Sequence, residues 1–247
     1  MHDLPTLLGA SQAPIVTTDV GGIRFVILNR PAARNALTRD MRTEFARIMS
    51  DAETDSTLDA MVLTGAGGAF SGGVDLKDRV PGAAPVEPNP AVALRNLTKP
   101  VIAAVDGACV TGAIEMALSC DFVIGTPAAR FADTHCKVGL FPRWGGGALL
   151  TSAIGVRRAR QMMLTGAFVD AETALAWGLL NEIVPADRLL DRAAALARTM
   201  ADRAEEHPLS YRLHSRLLCA IDAQNPAIAI EREFLARFDD DRMREVP

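Results

Sequence analysis

The stretch that decides the fold is Ala104–Asp121, Ala-Val-Asp-Gly-Ala-Cys-Val-Thr-Gly-Ala-Ile-Glu-Met-Ala-Leu-Ser-Cys-Asp. It grows out of an apolar run, Pro100 to Val105, whose length fits a buried strand and which ends at the turn pair Asp106-Gly107. Small residues follow, and Thr111-Gly112 opens a segment with Ile114 and Leu118 at helical spacing. One carboxylate, Glu115, sits in the first turn of that helix among Ala, Ile, Met and Leu. An acid near a helix N-terminus is ordinarily explained by the macrodipole. This one shares its turn with apolar residues and follows a glycine whose N–H can be left without an internal acceptor, so it is a candidate acid/base.

Outward from this stretch, strands and helices alternate. Ile15–Thr18 and Ile23–Leu28, joined through Asp19–Gly22, read as a β-hairpin, stopped by Asn29-Arg30-Pro31. Thr38 is a helix N-cap for a segment to about Ser50, with Met41, Phe45 and Ile48 on one face. Ala60–Leu63 reads as a short buried strand, Ala91–Leu97 as a short helix and Phe122–Gly125 as a strand. The proline-rich stretch Pro81–Pro90 is an irregular excursion within one domain, with the character of a flap. Phe131–Gly147 reads as irregular; Ala148–Ile154 and Val156–Leu164 are helices divided by Gly155; Asp170 caps a helix ending at Gly178; Leu180–Val184 is a last strand. From Ala186 on the pattern is helical, broken at His207-Pro208 and Asn225-Pro226. This order predicts a layered α/β body over residues 1–185 and a helical region over residues 186–247.

With 247 residues, 49% of them hydrophobic, the chain can bury the core of such a body. A net charge of −4 with dispersed arginines offers no polybasic track, so nucleic acid is not an expected partner. The four cysteines, Cys109, Cys120, Cys136 and Cys219, form no C-x-x-C pair, which predicts free thiols in a reducing cytoplasm. Met-His-Asp-Leu-Pro lacks a basic start and a long apolar run, and no segment reaches transmembrane length, so no membrane association is expected.

The glycine-dense run Gly65–Gly73 invites a phosphate-loop reading, but no Gly-Lys-Ser/Thr ends it and Gly65-Ala66-Gly67 lacks a glycine three residues on. Two readings remain: a tight turn using positive φ, or an exposed N–H just after Gly72-Gly73, at the start of a helix near Asp75. If the N–H groups of this turn and of Thr111-Gly112 converge, they form an oxyanion hole able to stabilise a thioester enolate.

Together, Leu28–Leu37, Thr64–Leu76, Pro100–Asp121, Phe131–Gly147 and Gly166–Val184 resemble the crotonase superfamily, the enoyl-CoA hydratase/isomerase family, over nearly the whole chain and in the right order. The resemblance implies a crotonase-like ββα spiral core with a C-terminal helical trimerisation region, and a homotrimer or a hexamer built as a dimer of trimers. It implies an acyl-CoA substrate, with coenzyme A present as part of that substrate and no other cofactor or metal. It places the oxyanion amides at Val74 and Gly112 and the first catalytic glutamate at Glu115. The second hydratase glutamate falls on His135, a departure from the pattern. His135 is either a partner of Glu115 in proton transfer or a supporting or core histidine hydrogen-bonded by Asp133 or Thr134. CoA is expected near Asn29, Arg30, Ala32 and Arg34 and near Gly72, Asp75 and Leu76, with Pro142 and Trp144 at the acyl pocket. Arg143, where some members place an aspartate, stays protonated and cannot be a base. The end at Arg244-Glu-Val-Pro247 departs from the family's usual closing segment, so one CoA contact is expected to be missing or supplied otherwise. Hydration of a trans-2-enoyl-CoA is the leading reaction; double-bond isomerisation and acyl-CoA binding without turnover are the alternatives.

Overall fold

A computed structural model describes residues 2–79, 83–208 and 211. After a short helix α1 (Leu4–Leu8), the hairpin β1 (Ile15–Val20) and β2 (Ile23–Leu28) leads into helix α2 (Arg39–Thr54). Thr38 caps α2 by accepting the N–H of Met41, and Met41, Phe45, Ile48, Met49 and Ala52 form its buried stripe. Because Ala52 continues that stripe, the helix runs a turn past Ser50.

A unit then repeats three times. A long strand is followed by a three-residue strand and a helix: β3 (Ala60–Gly65), β4 (Ala69–Ser71) and α3 (Pro90–Arg95); β5 (Val101–Val105), β6 (Ala108–Val110) and α4 (Gly112–Ala117); β7 (Phe122–Gly125), β8 (Arg130–Ala132) and α5 (Gly146–Ile154). Helix α6 (Val156–Thr165), β9 (Val169–Asp170), α7 (Ala171–Trp177), β10 (Glu182–Ile183) and α8 (Leu189–Glu206) complete the described chain. The long strands form one sheet in the order β1-β2-β3-β5-β7-β10, and the short ones a second, β4-β6-β8-β9. This is the ββα spiral.

The long strands read as unbroken apolar runs because both faces of their sheet are covered. Met61 and Leu63 of β3, with Val101, Ala103 and Val105 of β5, point into a core shared with α2 and the second sheet, whose Phe70 and Phe131 are buried there. Ala60, Val62, Ile102 and Ala104 alternate to the opposite face. There α8 lies across the sheet and buries Leu189, Leu190, Ala193 and Ala197, with Leu196 packed alongside. The apolar positions at the start of the helical tail are thus satisfied by the chain's own sheet. The later ones, Leu213, Leu217, Leu218, Ile221, Ile228, Ile230 and Phe234, lie outside the described residues, as do Cys219 and the C-terminal end.

Three expectations are corrected. The glycine run, the small residues after Gly107 and the segment from Phe131 each contain a short strand, β4, β6 and β8. No helix starts near Asp75: Leu37 N–H donates to Gly73 and Asp75 N–H to Leu37, and this bridge holds Val74 extended. The last strand is only Glu182–Ile183, because its neighbours Leu179 and Leu180 turn back onto Ala174.

Asn35 ties the loop after β2 to the β3–β4 corner. It is fully buried in the left-handed region (φ 54°), which asparagine tolerates better than most residues. Its amide nitrogen donates to Ala66 O (2.8 Å) and Ala69 O (2.7 Å), its side-chain oxygen accepts Arg30 N–H (2.8 Å), and its own carbonyl accepts Ser71 Oγ (2.8 Å). Asn35→Ala strands two buried carbonyls and an amide, at about 1–3 kcal/mol for each unsatisfied group. A urea melt should show stability reduced by at least about 3 kcal/mol; a loss below about 1 kcal/mol would contradict this role.

Candidate active site

The second sheet sets the site. Strands β4, β6 and β8 are adjacent and parallel, with Ser71 opposite Cys109 and Val110 opposite Ala132. Their C-terminal ends therefore finish side by side, where α/β sheets present loops for ligand binding. Val74, Gly112 and His135 each follow the end of one of these strands by two or three residues.

At the first turn, the bridge to Leu37 occupies the groups on either side of Val74 and leaves the Val74 N–H facing away from Leu37. Neither the Val74 nor the Gly112 N–H donates to an acceptor among the described residues. The two turns touch. A Cβ on Gly73 (φ 82°) would lie 2.2 Å from Thr111 Oγ1 and 3.2 Å from Gly112 N, so only glycine permits this approach. Thr111 sits at φ 52°, ψ −116°, a strained conformation for a β-branched residue. It is held by its N–H to Ala132 O (2.9 Å), by its hydroxyl to Val110 O (2.7 Å) and by Ile114 N–H on its carbonyl (2.9 Å). The strain reverses the chain between β6 and α4, bringing Gly112 to the helix N-terminus. Gly112 also gives room to Trp144, whose ring would lie 2.8 Å from an added Cβ.

Glu115, only 2% exposed, points from α4 toward the third repeat. The N–H groups of Trp144 and Gly146 both donate to its Oε1, each at 2.8 Å, and Gly146 opens α5. Oε2 faces His135 Nε2 at 4.0 Å. With Oε1 a double acceptor, a proton on this carboxyl belongs on Oε2, toward His135. Burial pushes the Glu115 pKa up to about 7, opposed by His135 and the two amide hydrogen bonds. The other ring nitrogen of His135, Nδ1, lies 2.8 Å from Asp133 Oδ1, which also accepts the His135 backbone N–H at 3.0 Å. Asp133, 2% exposed, makes the hydrogen bond to His135 that the sequence offered, and the ring it holds has Nε2 facing Glu115. The Asp-x-His spacing of a side-chain-to-backbone turn was the available signal.

A cavity of about 180 Å³ opens on this cluster, lined among others by Val74, Thr111, Glu115, His135 and Trp144. Arg79 and Arg143 also line it, as do Gly72 and Leu76. Pro142 is buried behind it, where a Cβ on Gly146 would meet its ring at 2.9 Å. A second cavity, about 320 Å³, lies between α8 and residues 98–100, away from these groups and beside residues outside the described set. Of the residues expected at CoA, Arg30 donates to Ala36 O (2.6 Å) and pairs with Asp75 (3.0 Å), holding the Asp75 carboxyl below its usual range. Asn29 donates to the Ala13 carbonyl (3.0 Å), while Ala32, Arg34 and Leu76 are exposed. No cluster of three His, Cys, Asp or Glu side chains suited to a metal exists among the described residues.

The family model for enoyl-CoA hydratase/isomerase matches residues 18–241. The chain belongs to this family. Its relatives include a putative enoyl-CoA hydratase of Thermus thermophilus, 36% identical over 230 residues covering 89% of this chain and 88% of that protein. The 1,2-epoxyphenylacetyl-CoA isomerase of Escherichia coli is 38% identical over 191 residues, 73% of each chain. The crystal structure of an enoyl-CoA hydratase from Mycobacterium avium superposes with a TM-score of 0.81 at 38% identity, covering 94% of this chain and 98% of that one. This is a hydratase/isomerase family enzyme with the crotonase fold, and no helix among the described residues is long and apolar enough to cross a membrane.

A carboxyl whose folded pKa is raised from 4.5 to about 7 stabilises the fold fully below pH 4.5 and loses that contribution as pH rises through 7. Glu115→Gln keeps the acceptor for Trp144 and Gly146 but cannot ionise. Its Tm relative to wild type should therefore climb between pH 5 and pH 8 by roughly the amount such a shift implies, several degrees. Parallel Tm curves would contradict the buried, proton-holding state of Glu115.

Proposed function

We propose that this protein hydrates a trans-2-enoyl-CoA to the 3-hydroxyacyl-CoA. The observation that carries this reading is the 4.0 Å gap between Glu115 Oε2 and His135 Nε2, set beside two strand-end amides. A water at hydrogen-bond distance, about 2.8 Å, from both atoms subtends an angle near 90°, a geometry one water can adopt. A single acid/base residue would need no such partner.

In the reaction, the thioester oxygen accepts the N–H groups of Val74 and Gly112, which stabilise the negative charge as it grows there. Glu115 and His135 together hold one exchangeable proton. The member without it takes a proton from the water as the water oxygen bonds to Cβ, and the alkene electrons move into the enolate. The member with it protonates Cα. One water is consumed and the pair again holds one proton. The CoA moiety lies along Asn29, Arg30, Ala32 and Arg34 and passes Gly72, Asp75 and Leu76, with Pro142 and Trp144 walling the acyl end. No cofactor beyond the substrate's own CoA is required. Free thiols at Cys109, Cys120 and Cys136 agree with a cytoplasmic setting. Exposed apolar side chains at Val156, Leu164, Phe168 and Leu175 support assembly as a trimer or hexamer.

Isomerisation is favoured by one observation, the relative named for 1,2-epoxyphenylacetyl-CoA isomerisation. The deciding assay follows the absorbance of a short trans-2-enoyl-CoA. Wild type should hydrate it, Glu115→Gln should lose at least about 100-fold in kcat, and His135→Ala at least about ten-fold, or 1.4 kcal/mol of barrier. Saturable binding without turnover would leave an acyl-CoA-binding protein. Full activity in His135→Ala would leave hydration to Glu115 alone, with His135 taking no part in proton transfer.

A further inference from the structure

We propose that Asp133 is a positioning residue that keeps the exchangeable proton of His135 on Nε2, the nitrogen facing Glu115. The inference deepens the hydratase reading and rests on it for its catalytic consequence, but the geometry it invokes stands without turnover. The Asp133 carboxylate is buried, and its Oδ1 lies 2.8 Å from His135 Nδ1. A carboxylate only accepts, so Nδ1 carries the hydrogen of that bond. In neutral imidazole the second nitrogen is then an acceptor, and in imidazolium it holds the added proton. In both states the proton that comes and goes is at Nε2, which points at Glu115 Oε2 across 4.0 Å.

The same Oδ1 accepts the His135 backbone N–H at 3.0 Å, so backbone and ring are fixed from one atom. The ring follows the end of β8 on a 3-10 turn, His135–Val138. Were Asp133 unable to accept, the hydrogen of the neutral ring would be free to move to Nε2. The site would then present Glu115 with a donor where it needs a base, and one of the two proton-transfer arrangements would be lost. Among the described residues, Glu115 from α4 and Asp133 face the ring, and Arg79 and Arg143 line the same cavity.

The test reads the ring directly. The protein has four histidines, so nitrogen-15 labelling of histidine, with His135→Gln to assign its signals, resolves the His135 ring. Above its pKa, wild type should show a protonated Nδ1 and a bare Nε2. A bare Nδ1 in wild type overturns the proposal whether or not the enzyme turns over, which separates its failure from that of the hydratase reading. In Asp133→Leu, which keeps the volume but offers no acceptor, the neutral ring should shift toward the Nε2-protonated form. The kcat should fall by at least about ten-fold with KM within about two-fold. Asp133→Glu, which keeps the charge and the acceptor, should recover part of the loss. An Asp133→Leu enzyme with wild-type kcat and tautomer, or a loss of kcat shared in full by Asp133→Glu, would reject the assignment.

Discussion

The site depends on one packing constraint: the parallel pairing of three-residue strands from three successive repeats. Each strand is too short to be stable alone. Together they align Ser71, Val110 and Ala132 so that the chain leaves the sheet three times at nearly the same level. Val74, Gly112 and His135 lie within three residues of those exits, and Glu115 follows Gly112 within the first turn of α4. The contact of Gly73 with Thr111 then brings the first two exits together, and the amides on Glu115 Oε1 join the second to the third.

The energetics of these turns are uphill locally and are offset by the body. Thr111 is held in a conformation that costs about 1–3 kcal/mol for a residue of its type, Glu115 is stripped of water, and Asn35 is locked in the left-handed region. Each is surrounded by hydrogen bonds that leave it no alternative, and the apolar layers on both faces of the long-strand sheet supply the stability. A buried carboxyl with a pKa near neutrality is the chemical return on that arrangement.

How much of this was legible in the sequence follows from range. The apolar runs at Val101–Val105 and Phe122–Gly125, the Thr38 and Asp170 caps, and the suspicion attached to Glu115 are local patterns, and the fold has strands, caps and a buried acid there. The strands β4, β6 and β8 were not legible, because three residues cannot display a period of two. Gly72-Gly73 resembled a helix start, and only Leu37, far away in sequence, holds that segment extended. Gly146 as a donor to Glu115 and the strain at Thr111 also come from tertiary packing, which no window of sequence contains, whereas the contact of Asp133 with His135 spans two residues and only its direction toward Glu115 depends on packing.

Because sheet register locates the reactive groups, the lengths of the segments between repeats are free variables. The chain that leaves after Asp75 and returns at Pro90 as α3 can lengthen, shorten or change composition without moving Val74, whose position is already fixed by Leu37 and by β4. The same holds for each turn taken separately. A residue at the third exit can be exchanged, as His135 stands where relatives are expected to carry glutamate, while the amides at the first two exits keep their places. Such a scaffold can change its proton chemistry one exit at a time.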